Sequence, residues 1–284
     1  MDAAVNMDIT VTVPSDFTVA SCAKDTEIIT LEHETIFNFR AETFCFNLAI
    51  AKYLINMLPI GKFYLLGEIN SKQVVEIMDT AHGFMNARFG HRDIFGVKFI
   101  SIPDKLGSFA RQQALFVCTS AFESIKSMNQ LIHEYIHLGW NVKADSESQR
   151  IRFFDEAFTS YFEMRVMEHI TKENYRLSEL INAYKNQMPH YDTNIPIVDY
   201  GKHEYGDLSY TAGAICLYKL SEFVGTDVFD NATRAFLEKY RDKPVNMDIF
   251  CEEYIRLCNN ANLKQFFMDW IYTTCGIKSF IKAP

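Results

Sequence analysis

The sequence predicts an α+β protein: a short β segment, then a small mixed sheet lobe, then a helical lobe. Three observations carry that expectation. Apolar and polar residues alternate over Ile9-Thr10-Val11-Thr12-Val13 and again around Ile29, Leu31 and Ile36, the period-two pattern of half-buried strands. From about Phe153 onward, apolar positions recur at helical spacing. The 284 residues are 48% hydrophobic and include 24 Phe and 14 Tyr, enough for a large aromatic core. The chain exceeds the roughly 100–150 residues of a modal domain, so a two-lobed unit or two packed domains is expected.

In chain order, strands are expected over 9–13 and 28–39, with Pro14, Ser15 and Asp16 as punctuation between them. Over 71–89, Val74, Val75, Met78, His82 and Met85 recur at helical spacing, and Gly90 stands where a glycine would end the helix. Short apolar strands follow over 97–102 and 114–118, with Pro103 and Gly107 marking the loop between them. Ser120 and Glu123 have the spacing of a capping box, so a helix is expected to start there, with Phe122, Ile125, Met128, Ile132 and Ile136 on its apolar face and Gly139 at its end. Helical segments are expected near 154–169, 172–186, 208–224, 228–241, 246–258 and 263–272. The expected division is a β segment over 1–48 and a larger unit over 49–284, mixed α/β to about 152 and helical over 153–284.

Composition excludes several classes. The net charge of -8 is spread along the chain and no Lys/Arg cluster builds a basic stripe, so nucleic acid is not an expected partner. Seven Cys, an odd number without a CxxC pair, read as reduced thiols. The N-terminus lacks a basic segment followed by an apolar one, so no signal peptide is expected. The longest apolar stretch, 44–60, is interrupted by Asn47, Lys52, Asn56 and Pro59 and falls short of the roughly 20 residues that span a bilayer. A cytoplasmic protein is the expectation, and a chain that begins almost directly in a strand leaves open whether it is whole or a fragment of a longer one.

The chemistry is concentrated in His133-Glu134-Tyr135-Ile136-His137, an HExxH motif. Two His four residues apart leave the same helix face one turn apart, which suits two ligands on one zinc ion. At this chain's own frequencies an accidental HExxH arises with a chance of roughly one in seventy, so the motif alone does not decide. Glu156 lies nineteen positions after His137, and requiring a Glu at one fixed offset lowers the chance to roughly one in a thousand. Two His and one Glu leave a fourth tetrahedral position to water, the open arrangement of a catalytic zinc site. Such an ion lowers the pKa of bound water from 15.7 toward roughly 7, and Glu134, beside the ligands but not one of them, is the expected general base.

HExxH, eighteen intervening residues and then Glu156 within Glu156-Ala157-Phe158-Thr159-Ser160-Tyr161-Phe162-Glu163 resembles the M1 family of gluzincin aminopeptidases. Ser209-Tyr210-Thr211-Ala212-Gly213-Ala214 resembles the family's Tyr-x-x-Gly-Ala segment, which implies Tyr210 as the tyrosine that donates to the oxyanion, with Tyr205 and His203 as rivals. Met268-Asp269-Trp270-Ile271 with Gly276, and Arg88-Phe89-Gly90 with residues 97–103, are similar to other segments of the family's catalytic domain. Residues 8–48 look like the tail of its N-terminal β-domain. The resemblance implies a thermolysin-like zincin fold, one zinc ion, and a peptide substrate. Glu163, seven residues beyond Glu156 on the same helical face, is expected to orient a ligating His from the second layer; a solvated surface Glu is the alternative. His33, His82, His91, His169 and His190 read as ordinary histidines, and Trp140 and Lys143 stand where a metzincin has Gly and its third His.

The pattern departs from the family at one place. Its aminopeptidases bind the substrate amine with Gly-x-Met-Glu-Asn, whereas this chain has Gly107-Ser108-Phe109-Ala110-Arg111, and no Glu occurs between Glu76 and Glu123. Asp104 is one candidate substitute, and an edge strand over 114–117 is expected to hold an extended peptide by strand addition. Three readings therefore stand: an aminopeptidase-like enzyme, a small endopeptidase, and a non-catalytic peptide-binding protein that keeps the fold.

Overall fold

The computed structural model describes residues 5–43, 45–90, 96–140, 142–146, 148–241 and 243–282; His91 and the first four residues lie outside them. The chain divides into two compact units, one of Met1–Ala81 with Arg92–Gly139, the other of His82–His91 with Trp140–Pro284.

The first unit opens with β1 (Val5–Pro14), β2 (Thr18–Ser21), β3 (Asp25–Thr30), β4 (Glu34–Thr43) and β5 (Leu48–Ala51). β1, β4 and β3 form an antiparallel sheet in that order, and β2 pairs with β5. The alternation around Ile29 to Ile36 is thus two strands of a hairpin, not one continuous strand. Leu31 N–H donates to the Glu34 carbonyl at 2.8 Å and turns the chain there. Thr35, Phe37 and Phe39 on β4 are buried at every second position, and Val13, Val19 and Ala23 close over them.

A second sheet joins β6 (Leu54–Leu58), β7 (Gly61–Leu65), β8 (Lys98–Ile102), β9 (Phe109–Arg111) and β10 (Ala114–Cys118) in the order β6-β7-β8-β10-β9. It is mixed: β7, β8 and β10 run parallel, and both edges are antiparallel. All five residues of β10 are buried, as an unbroken apolar run in a strand covered on both faces should be. β10 is therefore an inner strand, which corrects the expectation that 114–117 form an edge. Gln112 adopts a left-handed conformation (φ 51°) and folds 109–111 back along 114–116, so β9 takes the edge.

Between β7 and β8 runs α1 (Ser71–Phe89), which buries Val74, Ile77 and Met78 in the first unit and ends at Gly90 in a left-handed conformation (φ 65°). The unit closes with α2 (Asn129–Gly139), packed on β9 and β10. It starts nine residues later than Ser120 and ends on Gly139 itself. The Ser120 N–H instead donates to Asp104 Oδ1 at 2.9 Å. Reciprocal bonds expected of Ser120 and Glu123 are made by Ser124 and Ser127, each N–H donating to the other's hydroxyl at 3.0 and 3.1 Å.

The second unit is helical: α3 (Phe158–Thr171), α4 (Tyr175–Gln187), α5 (Ala212–Val224), α6 (Thr226–Tyr240), α7 (Met247–Cys258), α8 (Leu263–Phe267) and α9 (Cys275–Lys282). Two expected helices begin or end irregularly: a π-helical turn, Phe153–Ala157, precedes α3, and another, Met268–Tyr272, follows α8. Helix α9 was not expected. The aromatic residues are spent on this core, where Phe250 of α7 meets Phe153, Phe154 and Phe158 at centroid distances of 5.5, 5.9 and 5.8 Å. Among the described residues, no helix is long and apolar enough to cross a membrane. All seven cysteines are free thiols, with Cys22, Cys118, Cys216 and Cys251 buried.

An ion-pair cluster ties the end of α1 to this unit. Asp230 of α6, 5% exposed, accepts from Arg88 at 2.8 Å and from Arg165 of α3 at 3.2 Å. Arg234 also donates to the carbonyls of Ala87 and Arg88, which an α-helix leaves without intrahelical partners. Removing a buried partner leaves charges uncompensated, so Asp230→Ala is expected to cost about 3–5 kcal/mol in denaturant unfolding. A loss below about 1 kcal/mol would show that the cluster contributes only what surface pairs do.

Candidate metal centre

In the first unit, α2 carries the HExxH residues. Leu131, Ile132, Tyr135 and Ile136 are its buried face, and His133 and His137 emerge half-buried one turn apart. Their rings meet edge-on, with centroids 4.9 Å apart and planes at 77°. Glu134 is 7% exposed, an acid held inside the protein rather than in solvent. The Ser108 hydroxyl accepts from Cys118 N–H at 3.0 Å and donates to Gln130 Oε1 at 3.3 Å, which fastens the residue before β9 to the end of β10 and to the first turn of α2.

The edge strand β9 holds no carboxylate where the amine-binding Glu would stand. Asp104 lies on the 3₁₀ turn Asp104–Leu106 and is already engaged by Ser120, whose N–H and hydroxyl hold its carboxyl below the ordinary value.

In the second unit, Glu156 sits on the π-helical turn and is 3% exposed. A π turn re-aims side chains and is frequent at functional positions. Here it is secured by the Trp140 indole, which donates to the Phe154 carbonyl and stacks on Phe158 at 4.5 Å. Glu156 accepts from Arg152, four residues earlier, at the start of the turn. Arg152 was not singled out from the sequence, although an Arg at i−4 of a carboxylate on a helical segment is a recognisable pairing signal.

Tyr210 ends the 3₁₀ turn Gly206–Tyr210 that precedes α5. Its hydroxyl is hydrogen-bonded to Glu156, and burial with the neighbouring carboxylate pushes the phenol well above its ordinary value. The Arg152 guanidinium lies over its ring, 5.2 Å from the centroid. Its rivals lie elsewhere: the Tyr205 hydroxyl accepts from Asp192 N–H at 3.3 Å, and His203 is exposed with its ring 5.7 Å from that of Tyr205. Glu163 on α3 is buried at 3% exposure and accepts from Arg176 of α4 at 2.8 Å, so it is no solvated surface residue.

Two glycines permit these approaches. A Cβ on Gly206 would fall 2.8 Å from the Arg150 carbonyl oxygen, and one on Gly213 would fall 2.6 Å from the Ala157 Cβ. The first lets the Tyr210 turn lie on residues 150–152; the second lets α5 lie against the turn that bears Glu156. Ser209 completes the contact by donating to the Ile151 carbonyl at 2.6 Å.

Among the described residues, His133, His137 and Glu156 make up a donor set able to hold a metal ion. Imidazole and carboxylate are zinc ligands, and a set of three leaves room for water or substrate.

Residues 107–270, more than half of the chain, match the Peptidase family M1 domain. Solved structures of an M1 zinc metallopeptidase from Deinococcus radiodurans share the fold. A mutant form aligns with a TM-score of 0.71 at 13% identity, over 94% of this chain and 64% of that one. The unmutated enzyme aligns at 0.69 and 14%, over 94% and 63%, and a mutant bound to a Tyr-Ser-Ala substrate at 0.65 and 13%, over 94% and 63%. The chain thus spans less than two thirds of the length of these proteins. No curated protein matches it by sequence.

Ala in a helix interior ordinarily gains up to about 1 kcal/mol over Gly. At position 213 overpacking against Ala157 should reverse the sign, so Gly213→Ala is expected to lose about 1–3 kcal/mol in thermal unfolding. A raised melting temperature would contradict the close contact.

Proposed function

This chain belongs to peptidase family M1, and on that premise we propose that it is a zinc-dependent peptide hydrolase, aminopeptidase-like, in which His133, His137 and Glu156 hold one zinc ion. The observation that carries the reading is the arrangement on α2: two imidazoles project from one helix face, and Glu134, between them in sequence, is withheld from solvent. A helix that served only for packing would have no use for a buried acid beside two half-buried histidines.

Zinc, when bound, supplies a Lewis acid for the scissile carbonyl and makes water acidic enough to lose its proton near neutral pH. The remaining work falls to the chain. Glu134 takes the proton from the attacking water on a carboxylate oxygen and returns it to the departing amine. Tyr210 donates its hydroxyl hydrogen bond to the carbonyl oxygen as charge develops there; a phenol kept protonated by burial suits that task. Glu163 orients a ligating imidazole from behind, itself steadied by Arg176. β9 is the short strand at the sheet edge, and an extended peptide adds along it as a further strand.

A second reading has its own observation. Because β9 carries no carboxylate and Asp104 is engaged by Ser120, a free amine finds no evident anchor there. That favours cleavage of blocked peptides, as by a small endopeptidase, or peptide binding without turnover.

Glu134→Gln is expected to lower kcat by about 10²–10⁴-fold with zinc content unchanged, measured by metal analysis and peptide cleavage. Full activity in that variant would remove the mechanism. Tyr210→Phe is expected to lower kcat by about 10²–10³-fold with little change in KM; an effect confined to KM would assign Tyr210 to substrate binding instead. Amino-acid amides and internally quenched blocked peptides, each with and without chelator, separate the readings. Chelator-sensitive cleavage of the amides supports the aminopeptidase, cleavage of blocked peptides alone the endopeptidase, and none in either set the binding protein.

A further inference from the structure

We propose that Arg152 is a built-in counter-ion of Glu156 that competes with a metal ion for the carboxylate: it holds the carboxylate in place when no metal is bound, and it weakens zinc binding. The inference rests on the reading of Glu156 as a zinc ligand.

Four observations fix the guanidinium where it is. The Arg152 backbone is left-handed (φ 59°, ψ 14°), a conformation uncommon for a residue with a Cβ, and it directs the chain into the π turn. Its stem passes over Gly206, where a Cβ would stand 3.0 Å from both Cγ and Cδ. The peptide before it is held by Ser209, which donates to the Ile151 carbonyl at 2.6 Å. The guanidinium itself lies over the Tyr210 ring, with Asp207 at 3.5 Å from one terminal nitrogen and Asp155 at 3.7 Å from the other. With its side chain 38% exposed, Arg152 donates inward to a carboxylate that is 3% exposed.

The sign of the effect follows from charge. Carboxylates, carbonyls or water behind a ligating imidazole strengthen it as a donor, whereas a ligating carboxylate is itself hydrogen-bonded by donors. A fixed cation on that carboxylate weakens it as a donor, because guanidinium and zinc draw on one carboxylate and repel each other across it. Without either cation, the buried carboxylate would lose the ion pair that Arg152 gives it. Arg152 therefore stabilises the metal-free chain more than the loaded one, and by linkage it lowers the affinity for the ion.

The test uses the full chain, zinc alone, a chromogenic chelator as competitor, and thermal melting of stripped and zinc-saturated protein. Arg152→Met keeps the stem over Gly206 and removes the charge. It should lower the melting temperature of the stripped protein by more than that of the saturated one, and tighten zinc binding by about tenfold or more. Arg152→Lys, which keeps a cation, should stay close to the original affinity. Equal destabilisation of both forms with unchanged affinity would make Arg152 an ordinary structural ion pair, and weaker binding would make it a supporting partner; either result overturns the proposal. Glu156→Gln separates this failure from that of the underlying reading. If the unmodified chain binds no zinc, or Glu156→Gln binds it equally well, Glu156 is not a ligand. If Glu156→Gln binds weakly and Arg152→Met binds as the original does, only the counter-ion role falls.

Discussion

A carboxylate that is 3% exposed inside an aromatic helical unit must be met by cations and donors, and the architecture around Glu156 is organised by that demand. Arg152 reaches it from the preceding turn, and the Tyr210 hydroxyl meets it from a separate segment. The first is the i,i+4 pairing of a helical segment, and the second comes from the turn before α5. The π turn offsets Glu156 from the α3 register, the Trp140 indole satisfies the Phe154 carbonyl, and Gly206 and Gly213 remove the side chains that would otherwise block the approach. The irregular backbone and the two glycines thus lie together around one buried charge.

The α2 side of the chemistry obeys a different constraint. A helix that lays one face on β9 and β10 has only the remaining arc for polar groups. His133 and His137 occupy it because four residues make slightly more than one turn. Both are half-buried, while Leu131, Ile132, Tyr135 and Ile136 fix the helix against the sheet. Ser108 and Asp104 extend that rigidity upstream by bonding to Gln130, Cys118 and Ser120. The residues of the proposed site on α2 therefore stand on a supported element, with β9 and β10 fastened to it by Ser108.

Buried ion pairs recur in the helical unit, as with Arg165 and Arg88 on Asp230, and Arg176 on Glu163. Each joins two different helices, and each cation is Arg, whose planar fork suits a carboxylate better than a Lys ammonium does. Aromatic packing around Phe250 supplies bulk stabilisation without direction. The ion pairs add orientation, because a misplaced helix would leave charge buried without its partner.

Much was legible from the sequence because it depends on local spacing. The period-two pattern of β1, the helix of α1 with Gly90 behind it, the apolar run of β10, and the separations among His133, Glu134, His137 and Glu156 are properties of neighbouring residues, and local geometry preserves them. The mixed sheet followed by helices was likewise readable from pattern. What escaped reading was decided by partners far along the chain. Ser120 has the residues of a helix cap, but Asp104 takes its N–H, and the helix begins after Ser124 and Ser127 instead. Residues 114–118 look the same as an edge or an inner strand, and only the fold-back at Gln112 decides which. Arg152 reads as an ordinary cation until Gly206 and Ser209 bring the Tyr210 turn across it. By itself the sequence determined which residues are candidates for the chemistry, because ligand type and helical spacing are local facts; the tertiary structure decided which charges face one another, because burial and long-range contact are not.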